Sequence, residues 1–403
     1  MSVTLPSSLI TGVRTFLPAL VLVLALPAAA AEFAACLGKL RGEAAAQGIT
    51  RQTFDAALAG VTPDKSVLAA MDFQPEFVTP VWDYLAGLVD EQRIIDGKAK
   101  LDEWAAVLAE VERRFGVDRH VVVALWGVET DYGRLTGKRP LMSSLATTAC
   151  MGRRQPFFRG ELLAALRILQ DGDVRSEALV GSWAGAFGQT QFMPSTFLRL
   201  AVDMDGDGRR DVVGSVPDAL GSAANYLRNA GYASGEPWGY EVRLPQDYRG
   251  PSGRRERRAL EEWGRLKIRK ADGGALTGSG RAALLLPAGR EGPALLIFRN
   301  FEAIRSYNPS DSYALAIAHL SDRLRGASPL QAAWPTDDPG LSRAERREVQ
   351  ERLAARGYDV GEPDGIIGSR TRAAIEAFQK TAGLPVDGRA GRRMLSTLRN
   401  ASR

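Results

Sequence analysis

The chain has 403 residues, 45% of them hydrophobic, and a formal net charge of +5. That length and apolar content allow two or three domains with real cores. The positive balance suits an anionic environment, but no Lys/Arg-aromatic module accompanies it, which excludes a nucleic-acid binder.

The first 31 residues have the export pattern: Arg14, an apolar run from Phe16 to Leu26, and a small-residue end at Ala29-Ala30-Ala31. Such a run is too short to span a bilayer comfortably, so residues 1–31 read as a secretory signal cleaved after Ala31. No other stretch is long and apolar enough for a transmembrane helix, and a mature protein soluble outside the cytoplasm is expected. The two cysteines, Cys36 and Cys150, form a disulfide candidate in an oxidising compartment. A lipid anchor on Cys36 is the competing reading. The preceding Phe33-Ala34-Ala35 lacks the aliphatic residue of a lipoprotein box, which leaves an outer-membrane lipoprotein the weaker alternative.

Residues 32 to about 118 read as mainly helical, with one periodic segment from Leu101 to Phe115 ended by Gly116. Aromatics at Phe73, Phe77 and Trp82 suit either a core or a cleft, and Trp82 is assigned to the core. Next comes Val121–Val128, apolar on nearly every face and hence a buried helix, ended by Gly133. Glu129 falls on its Val121-Leu125-Val128 stripe. A carboxyl group partly desolvated there is expected to hold a proton near neutral pH and deliver it, as a general acid must. A structural Glu paired with an arginine is the bland alternative.

Arg153-Arg154 and Phe157-Phe158 precede an amphipathic helix from Glu161 to Gln170. The Gly/Ala-rich stretch Gly181–Ser195 carries Ser182, Gln189 and Gln191. It suits either a polymer lying against the backbone or tight packing. Asp203, Asp205 and Asp207, with Gly208 following, match the first half of an EF-hand loop, which also brings in position 7, Arg209. The usual Glu is missing at position 12, Gly214, so Asp211 or Asp218 has to complete the shell. An Asx-rich turn is the alternative.

A helix from Val216 follows, then short apolar runs between Gly/Pro turns over 236–298, read as a small strand-containing insertion. Its Arg254-Arg255-Glu256-Arg257-Arg258 run is read as a solvated face. Tyr307-Asn308 leads into a helix from Tyr313 to Leu324, and a linker spans 326–340. Residues 341–403 form a separate unit with three helices.

The stretches around Glu129, Ser182–Gln191, Tyr226, Tyr307-Asn308 and Asp364–Gln379 together resemble the lytic murein transglycosylase B family, with a peptidoglycan-binding tail. The resemblance covers almost the whole chain after the signal. It implies a mainly α, lysozyme-like catalytic domain of the goose-type/transglycosylase kind over 32–325, with a small β-containing insertion, plus a three-helix peptidoglycan-binding domain over 341–403. Glu129 is then the catalytic residue. By motif position Tyr84, Arg153, Arg154, Ser182, Gln191, Tyr226, Tyr307, Asn308 and Tyr313 are glycan-cleft candidates. Asp203, Asp205, Asp207, Arg209 and Asp218 become the ligand set of a structural calcium ion.

The expected enzyme is a periplasmic monomer acting on peptidoglycan glycan strands, beside other cell-wall synthesis proteins, with no cofactor for catalysis. A water-using glycosidase ordinarily needs two carboxyl groups. Here one suffices if the substrate's own C6 hydroxyl attacks, closing a 1,6-anhydro ring. Two rivals stand beside it: a hydrolytic muramidase in which Asp131 or another carboxylate activates water, and a non-catalytic wall-binding protein. In each case the tail is expected to act as a tether that raises local substrate concentration.

Overall fold

The computed structural model describes residues 19–71, 78–278 and 280–401, with side chains from Ala30 onward. Phe73 and Phe77 lie outside the described residues, as does most of the export pattern. The helices are α1 (Ala19–Ala46), α2 (Arg51–Ala57), α3 (Lys65–Ala70), α4 (Val81–Leu88), α5 (Glu91–Glu103), α6 (Ala105–Phe115) and α7 (Arg119–Thr130). They continue as α8 (Leu141–Met151), α9 (Gln155–Asp171), α10 (Pro194–Leu200), α11 (Val216–Asn229), α12 (Leu260–Arg265), α13 (Arg299–Arg305) and α14 (Asp311–Leu324). The tail adds α15 (Arg343–Ala354), α16 (Ser369–Thr381) and α17 (Arg392–Asn400). The fold is therefore mainly helical, as the sequence leads one to expect.

Two apolar cores organise the main body. In one, α1, α2, α8, α9 and α10 enclose Leu40, Leu145, Leu162 and Phe197. In the other, α4 to α7, α11 and α14 enclose Leu108, Leu125, Trp126, Leu315 and Leu320. Tyr226 and Tyr307 pack against both and mark the seam. Helix α1 runs through Ala31, so the predicted cleavage point falls inside it; from Phe33 on it feeds the first core. Cys36 on α1 and Cys150 on α8 are disulfide-bonded, with Cα atoms 5.8 Å apart. No helix among the described residues is long and apolar enough to cross a membrane.

The expected single helix from Leu101 to Phe115 is broken at Trp104, whose backbone leaves the helical region (φ −107°, ψ 23°) as its ring turns onto the core. A two-stranded ribbon, β1 (Arg139–Pro140) against β2 (Val180–Gly181), went unread in the sequence because it is too short to show a period. The insertion is an antiparallel five-stranded sheet, order β4-β6-β7-β3-β5, of β3 (Gly239–Arg243), β4 (Arg257–Ala259), β5 (Arg269–Lys270), β6 (Arg281–Leu285) and β7 (Ala294–Ile297). Apart from the exposed Arg281 that opens β6, strands β6 and β7 are apolar because both faces are covered. Ala283, Leu285, Leu295 and Ile297 face the helical core, whereas Ala282, Leu284, Ala294 and Leu296 face the sheet's own core around Trp263.

The arginine run differs from its reading as a solvated face. Arg254 and Arg257 reach Glu302 at 2.8 and 3.3 Å, and Arg254 also reaches Asp311 at 3.0 Å, so they tie the insertion to α13 and α14. Residues 326–340 carry no regular element, yet they are fastened: the amides of Gln331 and Ala332 donate to Glu241 at 2.6 and 2.8 Å.

The tail helices close over Leu341, Val349, Leu353, Ile375, Phe378, Leu395 and Leu398. Ser342 and Glu345 form a capping box at the start of α15. Two buried glutamines pin two Asp-Gly turns. Gln350 accepts the Gly365 amide at 2.7 Å, and Gln379 accepts those of Asp387 and Gly388 at 3.1 and 2.9 Å. Both turns face the main body.

Candidate active site

Helix α7 starts where Asp118 accepts the His120 amide at 2.8 Å. Its Val121-Val122-Val123 run has poor intrinsic helix propensity, so burial sustains the helix. Val122, Val123, Ala124 and Leu125 have no exposed surface, and each larger side chain contributes roughly 1.5–3 kcal/mol. The helix ends earlier than its Gly133 signal indicated. Asp131 (φ 53°) and Tyr132 (φ 60°) turn left-handed immediately after Thr130. Such positive φ in non-glycine residues persists only where the surroundings hold it. The holding contacts are a Thr130 hydroxyl donated to the Gln189 carbonyl, a Tyr132 hydroxyl donated to the Arg93 carbonyl at 2.8 Å, and a cage of arginines around Asp131.

Glu129 is thus presented, half-buried, on the last turn of a rigid buried helix. Its carboxylate accepts the hydroxyl of Tyr313 from α14. Burial, and then the Glu129 charge, push the Tyr313 phenol far above its ordinary range, so it remains a donor. Both residues line a cavity of about 580 Å³ together with Tyr84, Asn308, Val128 and Leu135.

The other predicted cleft residues are placed differently. Tyr226 and Tyr307 meet at the seam with ring centroids 4.5 Å apart and planes tilted by 56°, and their hydroxyls donate to the carbonyls of Ser306 and Thr190 at 2.7 Å each. Ser182 and Gln191 do not line this cavity. The Ser182 hydroxyl accepts the Ala186 amide at 3.0 Å, and the Gln191 amide group donates to the Thr136 and Gly188 carbonyls at 3.1 and 2.9 Å. Their glycines serve packing: a Cβ on Gly185 or Gly188 (φ +93° and +75°) would sit 2.4 Å from Leu145 or 2.7 Å from the Val212 carbonyl. Arg153 and Arg154 also stand off the cavity. The first donates to the Met71 carbonyl at 2.8 Å, and the second lies 4.5 Å over the Phe157 ring.

Asp131 is unsuited to activating water. It is 5% exposed and meets Arg93 at 3.4 Å, Arg134 at 2.9 Å and Arg343. Burial alone would raise its pKa, but Arg134, Arg93 and Arg343 outweigh it and hold the carboxyl below the usual range.

The residues that sequence reasoning missed come mostly from the tail. Arg343, Arg346, Gly365, Ile366, Ile367 and Arg389 line the same cavity as Glu129. Arg389 grips the buried Asp83 through two nitrogens, at 2.5 and 2.8 Å, and Arg346 donates to the Asp83 carbonyl. A side chain on Gly87 would collide with the Arg346 guanidinium at 2.3 Å, so that glycine is the seat of the tail's arginine. More than 200 positions separate the partners (|i−j| 212 for Arg343 and Asp131), and no local pattern links them.

In the acidic loop, carboxylate oxygens of Asp203, Asp205 and Asp218 lie within 4.8 Å of one another. Asp211 instead caps its own turn through the Val213 and Gly214 amides at 2.9 and 2.8 Å. The Asp207 carboxylate accepts the Arg209 amide at 2.8 Å and stands outside that group. Three carboxylates, one of them buried, form an all-oxygen donor set that fits a hard cation such as calcium.

Comparison with known proteins places this arrangement. The model of the transglycosylase SLT domain matches residues 32–322. The chain belongs to that family. Its tail, residues 342–398, matches a putative peptidoglycan binding domain. The chain is similar to SltB3 of Pseudomonas aeruginosa, solved with NAG-NAM-pentapeptide: 48% identity, TM-score 0.74, covering 91% of this chain and 99% of that one. SLT35 of Escherichia coli, solved in complex with calcium, is 28% identical with a TM-score of 0.63, covering 73% of this chain and 92% of that one. Membrane-bound lytic murein transglycosylase B of Escherichia coli strain K12 is 33% identical over 199 residues, 47% of this chain and 55% of that protein. The match thus spans about half the length of this curated relative. The lysozyme-like fold of the SLT domain accounts for the helical body around Glu129.

Proposed function

We propose that the protein is a lytic transglycosylase, a carbon-oxygen lyase that cuts the β-1,4 bond between N-acetylmuramic acid and N-acetylglucosamine without water. The observation that carries this reading is the half-buried carboxylate of Glu129, held by Tyr313 in a cavity whose other carboxylates are engaged: Asp131 by three arginines, Asp83 by Arg389, and Asp387 by the Gln379 side-chain amide at 2.7 Å. In the first half, protonated Glu129 gives its proton to the bridging oxygen and the C1–O bond breaks. The muramyl 2-acetamido group stabilises the charge left at C1. In the second half, the Glu129 carboxylate takes the proton from the C6 hydroxyl, and that oxygen bonds to C1, closing the 1,6-anhydro ring. Acid and base are one residue, so no second carboxylate is required. The similar SltB3 has been solved with both NAG-NAM-pentapeptide and NAG-anhNAM-pentapeptide, which supports carrying this chemistry here.

Tyr84 and Asn308 are read as glycan contacts, and the tilted Tyr226–Tyr307 pair as the wall of the seam. Asp203, Asp205 and Asp218 are read as a calcium site that holds the fold, with Asp207 and the Arg209 backbone as outer candidates. Residues 1–31 are read as an export signal delivering the catalytic domain 32–325, the linker 326–340 and the tail 341–403 to the periplasm.

The test is mass spectrometry of fragments released from purified sacculi. Wild-type protein is expected to release products one water lighter than hydrolytic ones, and Glu129→Gln to release essentially none. Products of hydrolytic mass would instead establish the muramidase, and no release by either protein the binding protein.

A further inference from the structure

We propose that Arg343 is a positioning residue for Glu129, so that the docked tail completes the active site rather than serving only as a tether. This inference rests on the transglycosylase reading. Arg343 opens α15, and its guanidinium bridges two bodies: Nε donates to the Asp364 carbonyl within the tail at 3.1 Å, while Nη1 donates to Asp131 of the main body. Asp131 is the left-handed cap of α7, two residues beyond Glu129. A left-handed aspartate followed by a left-handed tyrosine is a backbone state that its neighbours must impose.

Two of the three arginines on that cap, Arg93 and Arg134, belong to the main body, and Arg134 is shared with Asp96. Arg343 alone among the three comes from the tail. The same tail face is seated by Arg389 on Asp83 and by Arg346 against Gly87, so Arg343 is delivered by a docked surface rather than by a loose arm. Misplacing a catalytic group by about 1 Å can cost roughly 100-fold in rate, and a cap that relaxes would move Glu129 on that scale.

The experiment uses the full chain, with soluble peptide-free glycan strands as substrate, so that tethering to sacculi does not enter. Arg343→Ala is expected to lower kcat about tenfold or more at nearly unchanged KM. Arg343→Lys should recover part of the loss, and Arg343→Ala should add nothing in an Asp131→Asn background. Lys138→Ala, which removes only the exposed Lys138–Glu362 pair at the edge of the same contact, should behave as wild type. Hydrogen exchange gives a readout independent of activity: amides of residues 130–133 should exchange faster in Arg343→Ala, with those of α6 unchanged.

An unchanged kcat, a loss confined to KM, or a loss that persists in full in Asp131→Asn would overturn the proposal. If the alanine variant does not fold, the lysine variant decides by the same kinetic criteria. Absence of anhydro ends from the wild type would sink the transglycosylase reading, and the exchange result would still decide for or against the positioning role.

Discussion

At the scale of single residues, two neighbours on one turn have opposite chemical fates because of what surrounds them. Glu129 faces a cavity and accepts the neutral hydroxyl of Tyr313, whereas Asp131 is closed off by cations. A hydrogen bond to a charged group contributes about 1.5–3 kcal/mol. Tyr313→Phe removes the donor while keeping the ring that packs between α7 and α14. The expected result is a kcat lowered about tenfold, measured on glycan strands. A kcat equal to wild type would show that Glu129 is held by other contacts. The apolar stripe singled out Glu129 beside a structural alternative, and the resemblance chose between them; Tyr313 was reached through the resemblance alone, since nothing within 184 residues of chain points from one to the other.

At the scale of elements, α7 and the acidic loop illustrate different kinds of determination. Helix α7 is a β-branched run that persists because both neighbouring helices and the core bury it. The acidic loop is specified locally by alternating aspartates and by Gly206 and Gly208 at positive φ, but its carboxylate cluster is completed by Asp218 from α11. Asp218 accepts amides of Met204 and Asp211 at 2.7 Å each, so it joins the two ends of the loop. Burial leads the influences that raise its pKa, which is the environment in which a bound cation relieves a buried charge. Calcium is therefore expected to raise the melting temperature of the wild type, by about 2.7 kcal/mol of stability at a hundredfold excess over Kd. Asp218→Asn should abolish that rise in a thermal scan with and without chelator; an equal rise in both proteins would remove Asp218 from the site.

At the scale of the whole molecule, stability rests on pins between bodies. Asp322 on α14 accepts the indole N–H of Trp238, ahead of the insertion's first strand, at 2.9 Å. Burial pushes this carboxyl up to about 6, against the opposing pull of Trp238 and Arg325. A folded-state pKa raised above the unfolded value favours the protonated form. Its contribution is complete below the unfolded pKa, near 4, and is lost as pH rises through about 6. Above that pH the buried charge costs about 2 kcal/mol, a figure reduced for partial exposure. Asp322→Asn is expected to melt above wild type at pH 8 and to lose that advantage by pH 4. A variant less stable at both would show that the carboxylate's hydrogen bonds outweigh its burial.

By itself the sequence determined the helical class, the buried helix bearing Glu129, the aspartate loop and the three-helix tail, because each is written in a local period or a short spacing. It misjudged the end of α7, the break at Trp104 and the arginine run, where packing overrides local preference. Only the tertiary structure decided that Asp131 is locked by arginines, that Ser182 bonds within its own loop while Gln191 ties that loop to Thr136, and that the tail sits on the cleft through Asp83, Gly87 and Asp131. The physical reason is one of range. Helical periods and Asx turns act over a few residues, whereas an arginine finds its carboxylate through the folded backbone, and any of the chain's many arginines would have matched on charge alone.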